Sequence, residues 1–283
     1  MKANQPHSMD FPGRPETEHP IQSLKDQFPF RLGTTSYILP ADLVPNVEFL
    51  GPLVDDVELV LFESGEVSNL PSPNTIQTLA ELKCLRRLSY TVHMPLDIRL
   101  GDPDEAIRGR SVQMCLKVIA ITKPVHPMAY IVHFDGEVRG KIPIRHVDRW
   151  LKTLDHSVTE LLSSGIEPER LCIETLDYPF EYVDPVVSRH GLSICLDVGH
   201  LAFYGYPIQD YLNRYLVRSR ALHLHGHLNG VDHRGVDFFD HETLSVLTER
   251  LIGASSNNRI LTLEVFGIEA FETSMEIMRR WNE

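Results

Sequence analysis

Apolar positions along the chain follow two alternating rhythms. Runs at 30–38, 57–63, 88–93, 128–134, 170–175, 192–197, 220–226 and 259–265 are short and nearly continuous in apolar residues. Such runs suit parallel strands buried on both faces. Between them, segments 75–88, 104–122, 147–164, 208–216, 241–253 and 270–281 carry apolar residues at three- and four-residue spacing, the period of an amphipathic helix. The stretch 184–191 is a weaker, shorter helix candidate. Capping chemistry agrees: Pro73-Asn74-Thr75 and Asp102-Pro103-Asp104 suit helix starts, and Gly165 and Gly253 suit helix stops. Eight strand-like runs alternating with helices predict an α/β fold, a closed (β/α)8 TIM barrel. An open doubly wound sheet would announce a glycine-rich loop after the first strand, but here that strand runs into GTTSYILP without GxGxxG. Residues 1–28 lack either rhythm and read as a flexible tail, so 29–283 is read as one barrel domain.

Polar residues punctuate the strand ends. Glu63 closes the second run, His93 the third, His133 the fourth and Glu174 the fifth. Asp197 closes the sixth, with His200 just beyond. The seventh carries His223, followed by His225 and His227, and the eighth ends in Glu264. In a (β/α)8 barrel all C-terminal strand ends face one pocket, so these groups would converge. One buried His or carboxylate is easily satisfied by a hydrogen bond or salt bridge. Seven strands in succession aiming such groups at one pocket would be hard to satisfy without a cation.

Mixed imidazole and carboxylate donors suit Zn, Mn, Fe or Co better than Ca or Mg alone, and so many candidates suit two or three ions rather than one. Glu63, Glu174 and Glu264 are the candidate catalytic carboxylates, although a salt bridge to a neighbouring loop would equally explain Glu63. Two chemistries remain open on these residues: metal-assisted hydrolysis at phosphorus, and proton abstraction beside a sugar carbonyl. A non-catalytic barrel would be expected to have lost Glu174, Asp197, His223 or Glu264, and all four are present.

Charge narrows the partners. The formal net charge of −12 disfavours general nucleic-acid binding. Arg139, Lys141 and Arg145, after the fourth strand, are the nearest basic group, read as solvated loop charge or as a contact for substrate phosphate. No apolar run is long enough to span a bilayer, and the N-terminus has no secretory h-region. Cys84, Cys115, Cys172 and Cys195 sit in apolar stretches without a CxxC pair, which fits buried reduced thiols and a cytoplasmic location. Tyr37, Phe62, Phe134 and Phe266 are candidates for a pocket rim or for capping the barrel core.

The segments TVHMP (91–95), IVHFDG (131–136), CIET (172–175), CLDVGH (195–200), ALHLHG (221–226) and TLEV (262–265) follow in the order of a known superfamily. Through them the chain resembles the xylose isomerase-like TIM barrels, which include endonuclease IV and the sugar-phosphate isomerases and epimerases. LDVGH, with its Asp-x-x-His, is the most specific element. Within that group TTSYILPADLVPNVEFLG, VELVLFES, HLHG and DHRGVDFFDHETL are similar to the cobamide-remodelling phosphodiesterases. The endonuclease IV pattern implies one ion on His93, His133 and Glu174, and a second on Glu174, Asp197, His223 and Glu264. It implies a third on His200 with Asp232 and His233, but the pattern has one residue between that Asp and His and this chain has none. His225 or His227 is the alternative donor. The closer resemblance implies hydrolysis of a phosphoester in the nucleotide loop of a cobamide, a small-molecule substrate, with no nucleic-acid or membrane partner.

Overall fold

The computed structural model describes residues 21–64, 67–136, 144–254 and 258–281. The eight apolar runs form eight parallel strands: β1 (Arg31–Thr35), β2 (Asp56–Val60), β3 (Ser89–His93), β4 (Ala129–Val132), β5 (Leu171–Glu174), β6 (Ser193–Asp197), β7 (Ser219–Leu224) and, last in the chain, β10 (Ile260–Leu263). They close in the order β1-β10-β7-β6-β5-β4-β3-β2. Between β7 and β10 a small antiparallel hairpin intervenes, β8 (Gly226–Leu228) and β9 (Val231–Arg234).

Helices cover the barrel outside: α1 (Leu43–Leu50), α2 (Pro73–Arg86), α3 (Glu105–Thr122), α4 (Val147–Leu162), α5 (Asp184–Arg189), α6 (Val198–Tyr204), α7 (Ile208–Tyr215), α8 (His241–Gly253) and α9 (Ile268–Trp281). Among the described residues, no helix is long and apolar enough to cross a membrane. Starts follow local chemistry. Ser72 caps α2 through Thr75 N–H and is followed by Pro73, while Asp104 caps α3 through Ala106 and Ile107.

Strand periodicity positions the site. Ile131, Cys172, Cys195 and Ala221, with Ala129, form a small fully buried cluster separate from the main core. Side chains two residues apart share a face of a strand. Ile131 therefore stands below His133, Cys172 below Glu174, Cys195 below Asp197 and Ala221 below His223. The lumen is packed with small apolar groups up to the level where polar ones begin. The outward set, including Leu196, Leu222 and Leu224, joins the helix-facing core.

Some expectations shift. Residues 21–28, read as tail, lie against the barrel: Leu24 is fully buried, its N–H donates to the Leu53 carbonyl (3.0 Å), and Asp26 N–H donates to Asp55 (2.9 Å). Residues 1–20 lie outside the described residues. Helices α1 and α6 and the β8–β9 hairpin add to the helices and strands read from periodicity. Cys84 is exposed on α2, whereas Cys115, Cys172 and Cys195 are buried; all four are free.

Candidate metal centre

Three groups of potential ligand atoms adjoin at the C-terminal mouth, each group with its donors within 4.8 Å of one another. The first is His93, His133 and Glu174. His133 Nε2 lies 2.9 Å and His93 Nε2 3.4 Å from Glu174 Oε2. His93 Nδ1–H donates to the Met94 carbonyl at 2.8 Å, which turns Nε2 toward the carboxylate and makes it the nitrogen that would hold an ion.

The second group is Glu174, Asp197, His223 and Glu264, all buried. His223 Nδ1 lies 3.0 Å from Glu264 Oε2, 3.8 Å from Glu174 Oε1 and 3.9 Å from Asp197 Oδ2. Its other nitrogen, Nε2, donates to Glu58 Oε2 at 3.0 Å, and both side chains are fully buried. A carboxylate on the far side of an imidazole fixes its tautomer and raises its basicity as a ligand. Glu58 therefore belongs to the centre although the sequence reading passed over it. Reading only strand ends concealed it; the alternation Asp56-x-Glu58 on β2 was the available signal.

Glu63, read in that role, lies beyond the end of β2. It binds Lys117 Nζ on α3 at 2.9 Å and accepts from Ser68. The strand stops at Val60, three residues short of the predicted end, so Glu63 falls in the loop above. The structure thus gives it the salt bridge rather than the pocket.

The third group is His200, His225 and His233. Asp197 is the N-cap of α6, accepting from His200 N–H at 2.7 Å, so the Asp-x-x-His spacing is that of a cap and the third residue of its helix. The same geometry sets His200 Nδ1 2.9 Å from Asp197 Oδ2 and 3.3 Å from Glu174 Oε1. Gly199 is required between them: a Cβ there would overlap the His225 imidazole. His225 Nε2 lies 3.4 Å from Asp197 Oδ1. Its Nδ1 is 3.1 Å from both the Gly226 carbonyl and the His233 N–H, which ask for opposite tautomers. An ion on Nε2 would select the Gly226 partner.

His233 arrives on the hairpin. Asn229 (φ 52°) and Gly230 (φ 76°) supply the two left-handed positions of its tight turn. Asp232 stays outside the group, its Oδ2 3.9 Å from His233 Nε2, and His225 takes the place that spacing had offered to it. His227 packs on Phe203 instead, ring centroids 5.7 Å apart.

Charge at the centre is unbalanced without a cation. Glu58 Oε1, Glu174 Oε1, Asp197 Oδ2, His223 Nδ1, His225 Nε2 and Glu264 Oε2 are buried without a hydrogen bond of good geometry, and the short approaches among them are imidazole–carboxylate pairs such as His223 Nδ1–Glu264 Oε2 (3.0 Å) and His200 Nδ1–Asp197 Oδ2 (2.9 Å). Such orphaned donors and acceptors are costly, and the set fits a divalent transition-metal ion. Protons otherwise do the neutralising. Burial works against charging the imidazoles, yet Glu174 raises His93 to about 9. Asp197 likewise lifts His200 well above its ordinary value, and Cys195 together with the Glu264, Glu58 and Glu174 carboxylates lifts His223. Burial pushes the Glu174 carboxyl up, but His133 and His223 outweigh it and hold the group well below the carboxylate range. Asp197 and Glu264 are held down in the same way by neighbouring imidazoles. The Cys195 sulfur is also within reach of Glu174 and His223, but burial raises its thiol well above the ordinary value, which suits packing rather than ligation.

Aromatic side chains border the centre. Tyr37 packs on Phe62 (6.2 Å) and Phe266 (6.5 Å), and Phe266 lies 5.3 Å from the His233 ring. Phe134 is instead buried core. Arg145 is exposed, and Arg139 and Lys141 lie outside the described residues.

A closed parallel barrel whose C-terminal mouth gathers imidazoles and carboxylates into adjoining groups of potential metal ligands defines the class of TIM barrels with their site at the strand ends. Over residues 54–281 the chain matches the model of the xylose isomerase-like TIM barrel, and it belongs to that family. A D-tagatose 3-epimerase-like protein is similar at 20% identity, covering 89% of this chain and 96% of the other, with a TM-score of 0.71. The 3-keto-D-glucoside 4-epimerase YcjR from E. coli, in its apo form, is 14% identical over 89% and 99% of the two chains (TM-score 0.68). Endonuclease IV from Thermus thermophilus is 19% identical over 89% and 98% (TM-score 0.67). At these identities the likeness is one of fold. No curated protein sequence matches the chain.

Proposed function

We propose that the chain is a metal-dependent phosphodiesterase that hydrolyses a phosphoester in the nucleotide loop of cobamides, B12-type cofactors. The observation that carries this reading is the sharing of Glu174 between the His93–His133 group and the Asp197–His223–Glu264 group, with the His200–His225–His233 group adjoining. A sugar isomerase or epimerase on this barrel has use for the four-residue group, but not for five further imidazoles at His93, His133, His200, His225 and His233. Divalent ions, when bound, supply Lewis acidity: they polarise phosphoryl oxygens and make water a stronger acid.

The chain's own residues do the rest. Glu174 ties two donor groups together, and Glu58 and the Met94 carbonyl orient His223 and His93. Tyr37, Phe62 and Phe266 offer aromatic faces to a flat ring system such as a corrin or a nucleotide base. The net charge of −12 suits a small-molecule substrate better than a nucleic acid. Four free cysteines suit a reducing compartment, and we place the reaction in the cytoplasm.

The test is incubation of the purified protein, loaded with Zn or Mn, with a cobamide, followed by chromatography for a released lower-ligand riboside. Release is expected, and Glu174→Gln should abolish it while preserving the circular dichroism spectrum. A cobamide left untouched under several metals and a reducing atmosphere would favour the isomerase or epimerase reading. Full activity in metal-replete Glu174→Gln would overturn the shared-site reading.

A further inference from the structure

The N-terminal face of the barrel, opposite the metal centre, holds a cavity of about 550 Å³ at the starts of β6, β7 and β10. Arg218, Arg220 and Arg259 line it, with Ser188, Ser193 and Asn258. The three arginines play different parts. Arg259 is a fixed wall: Nε, Nη1 and Nη2 donate to the carbonyls of Ser219, Ala254 and Leu216 (3.2, 2.5 and 3.1 Å). Arg218 is held at one end, its Nη1 2.6 Å from Asp184 Oδ1, while its Nη2 is buried without an acceptor. The Arg220 Nε is also buried without an acceptor.

The acids nearby do not fill the gap. Asp184 is engaged by Arg218 and by the Ser188 hydroxyl (3.1 Å). Glu169 lines the cavity but is exposed to solvent. Three guanidinium groups thus line one cavity in a chain whose net charge is −12, and among the described residues no carboxylate pairs with Arg220. A guanidinium without a carboxylate partner is matched best by an oxyanion.

We infer that this cavity binds the phosphate group of a small phosphorylated molecule, held by Arg218 and Arg220, at a site separate from the metal centre. The volume exceeds what inorganic phosphate alone needs, leaving room for the organic part of the molecule. Inorganic phosphate is the probe. It is titrated calorimetrically into chelator-treated, metal-free protein, so that ions at the opposite mouth cannot capture it. Saturable binding of one phosphate per chain, millimolar or tighter, is expected. It should weaken at least tenfold in Arg220→Met, and in Arg220→Lys should this first variant fail to fold. It should be unchanged in Glu174→Gln. Absence of saturable binding, wild-type binding in the folded Arg220 variant, or loss of binding in Glu174→Gln would overturn the inference. Displacement of phosphate by equimolar acetate would reassign the cavity to carboxylates and overturn the phosphate assignment.

Discussion

Replacing Glu58 with Gln removes one charge and almost no volume from the wall of the metal centre. The change acts through His223, whose Nε2 donates to Glu58 Oε2 at 3.0 Å while its Nδ1 faces Glu264, Glu174 and Asp197. Hydrogen bonds to charged partners contribute about 1.5–3 kcal/mol and neutral ones about 0.5–1.5 kcal/mol. Neutralising the acceptor therefore costs about 1–1.5 kcal/mol, roughly tenfold in metal affinity. A second effect adds to it. If the amide turns its NH2 toward His223, the imidazole proton moves to Nδ1 and occupies the lone pair an ion needs, which brings the loss toward the roughly 100-fold upper range for such partners. Zinc affinity by competition with a fluorescent chelator should fall about 10- to 100-fold, and turnover should recover at high metal. Glu63→Gln is the control: its partner is Lys117 near the surface, so affinity should change less than about twofold. Wild-type affinity in Glu58→Gln, or an equal loss in Glu63→Gln, would refute the assignment of the strand-2 carboxylate.

Gly199→Ala should drive His225 from its place and lower the metal content by one ion per chain, measured by elemental analysis; unchanged stoichiometry would show that His225 is not a donor. Metal affinity should tighten as pH rises, because an ion must displace protons from imidazoles held above their ordinary values. His93, lifted to about 9 by Glu174 against the effect of burial, contributes to metal-free stability fully below pH about 6.5, and that contribution is lost as pH rises through its folded value. Melting of the metal-free protein between those limits, and chelator competition over the same range, check both trends. Asn46→Ala should cost about 2–4 kcal/mol in denaturant unfolding, because its buried amide bonds Ile38 N–H, Leu39 N–H and the carbonyls of Leu39 and Ala41.

The barrel was legible because its strands are buried on both faces and leave nearly unbroken apolar runs. The groups at the ends of β3, β5 and β6, and those on or just past β4, β7 and β10, were legible for the same reason: a polar residue ending an apolar run stands out. Glu58 was hidden because it interrupts the run VELVLFE, and the more conspicuous acid at the end of that run drew the reading to Glu63. The hairpin was written plainly in Leu228-Asn229-Gly230-Val231, an Asn-Gly pair between apolar residues, but periodicity scanned at strand and helix length passes over so short a unit. Choosing His225 over Asp232 depended on contacts across the fold, His225 Nε2 to Asp197 Oδ1 and His225 Nδ1 to the His233 N–H, which spacing does not encode. The boundary of the tail is hard to read because its anchoring residues, Ile21, Leu24 and Phe28, are scattered singly through a polar stretch.

His233 differs in origin from every other donor at the mouth. The others stand on barrel strands, just past their ends, or in the first turn of α6, and cannot be exchanged without disturbing the barrel. His233 hangs on a nine-residue excursion, Gly226–Arg234, that pairs only with itself in the sheet topology. Lineages can therefore lengthen, shorten or replace that excursion and alter the outermost donor group while inheriting the two deep ones intact. One loop becomes the adjustable part of an otherwise fixed chemical inventory, a modular route by which relatives on the same barrel can diverge in the reactions they support.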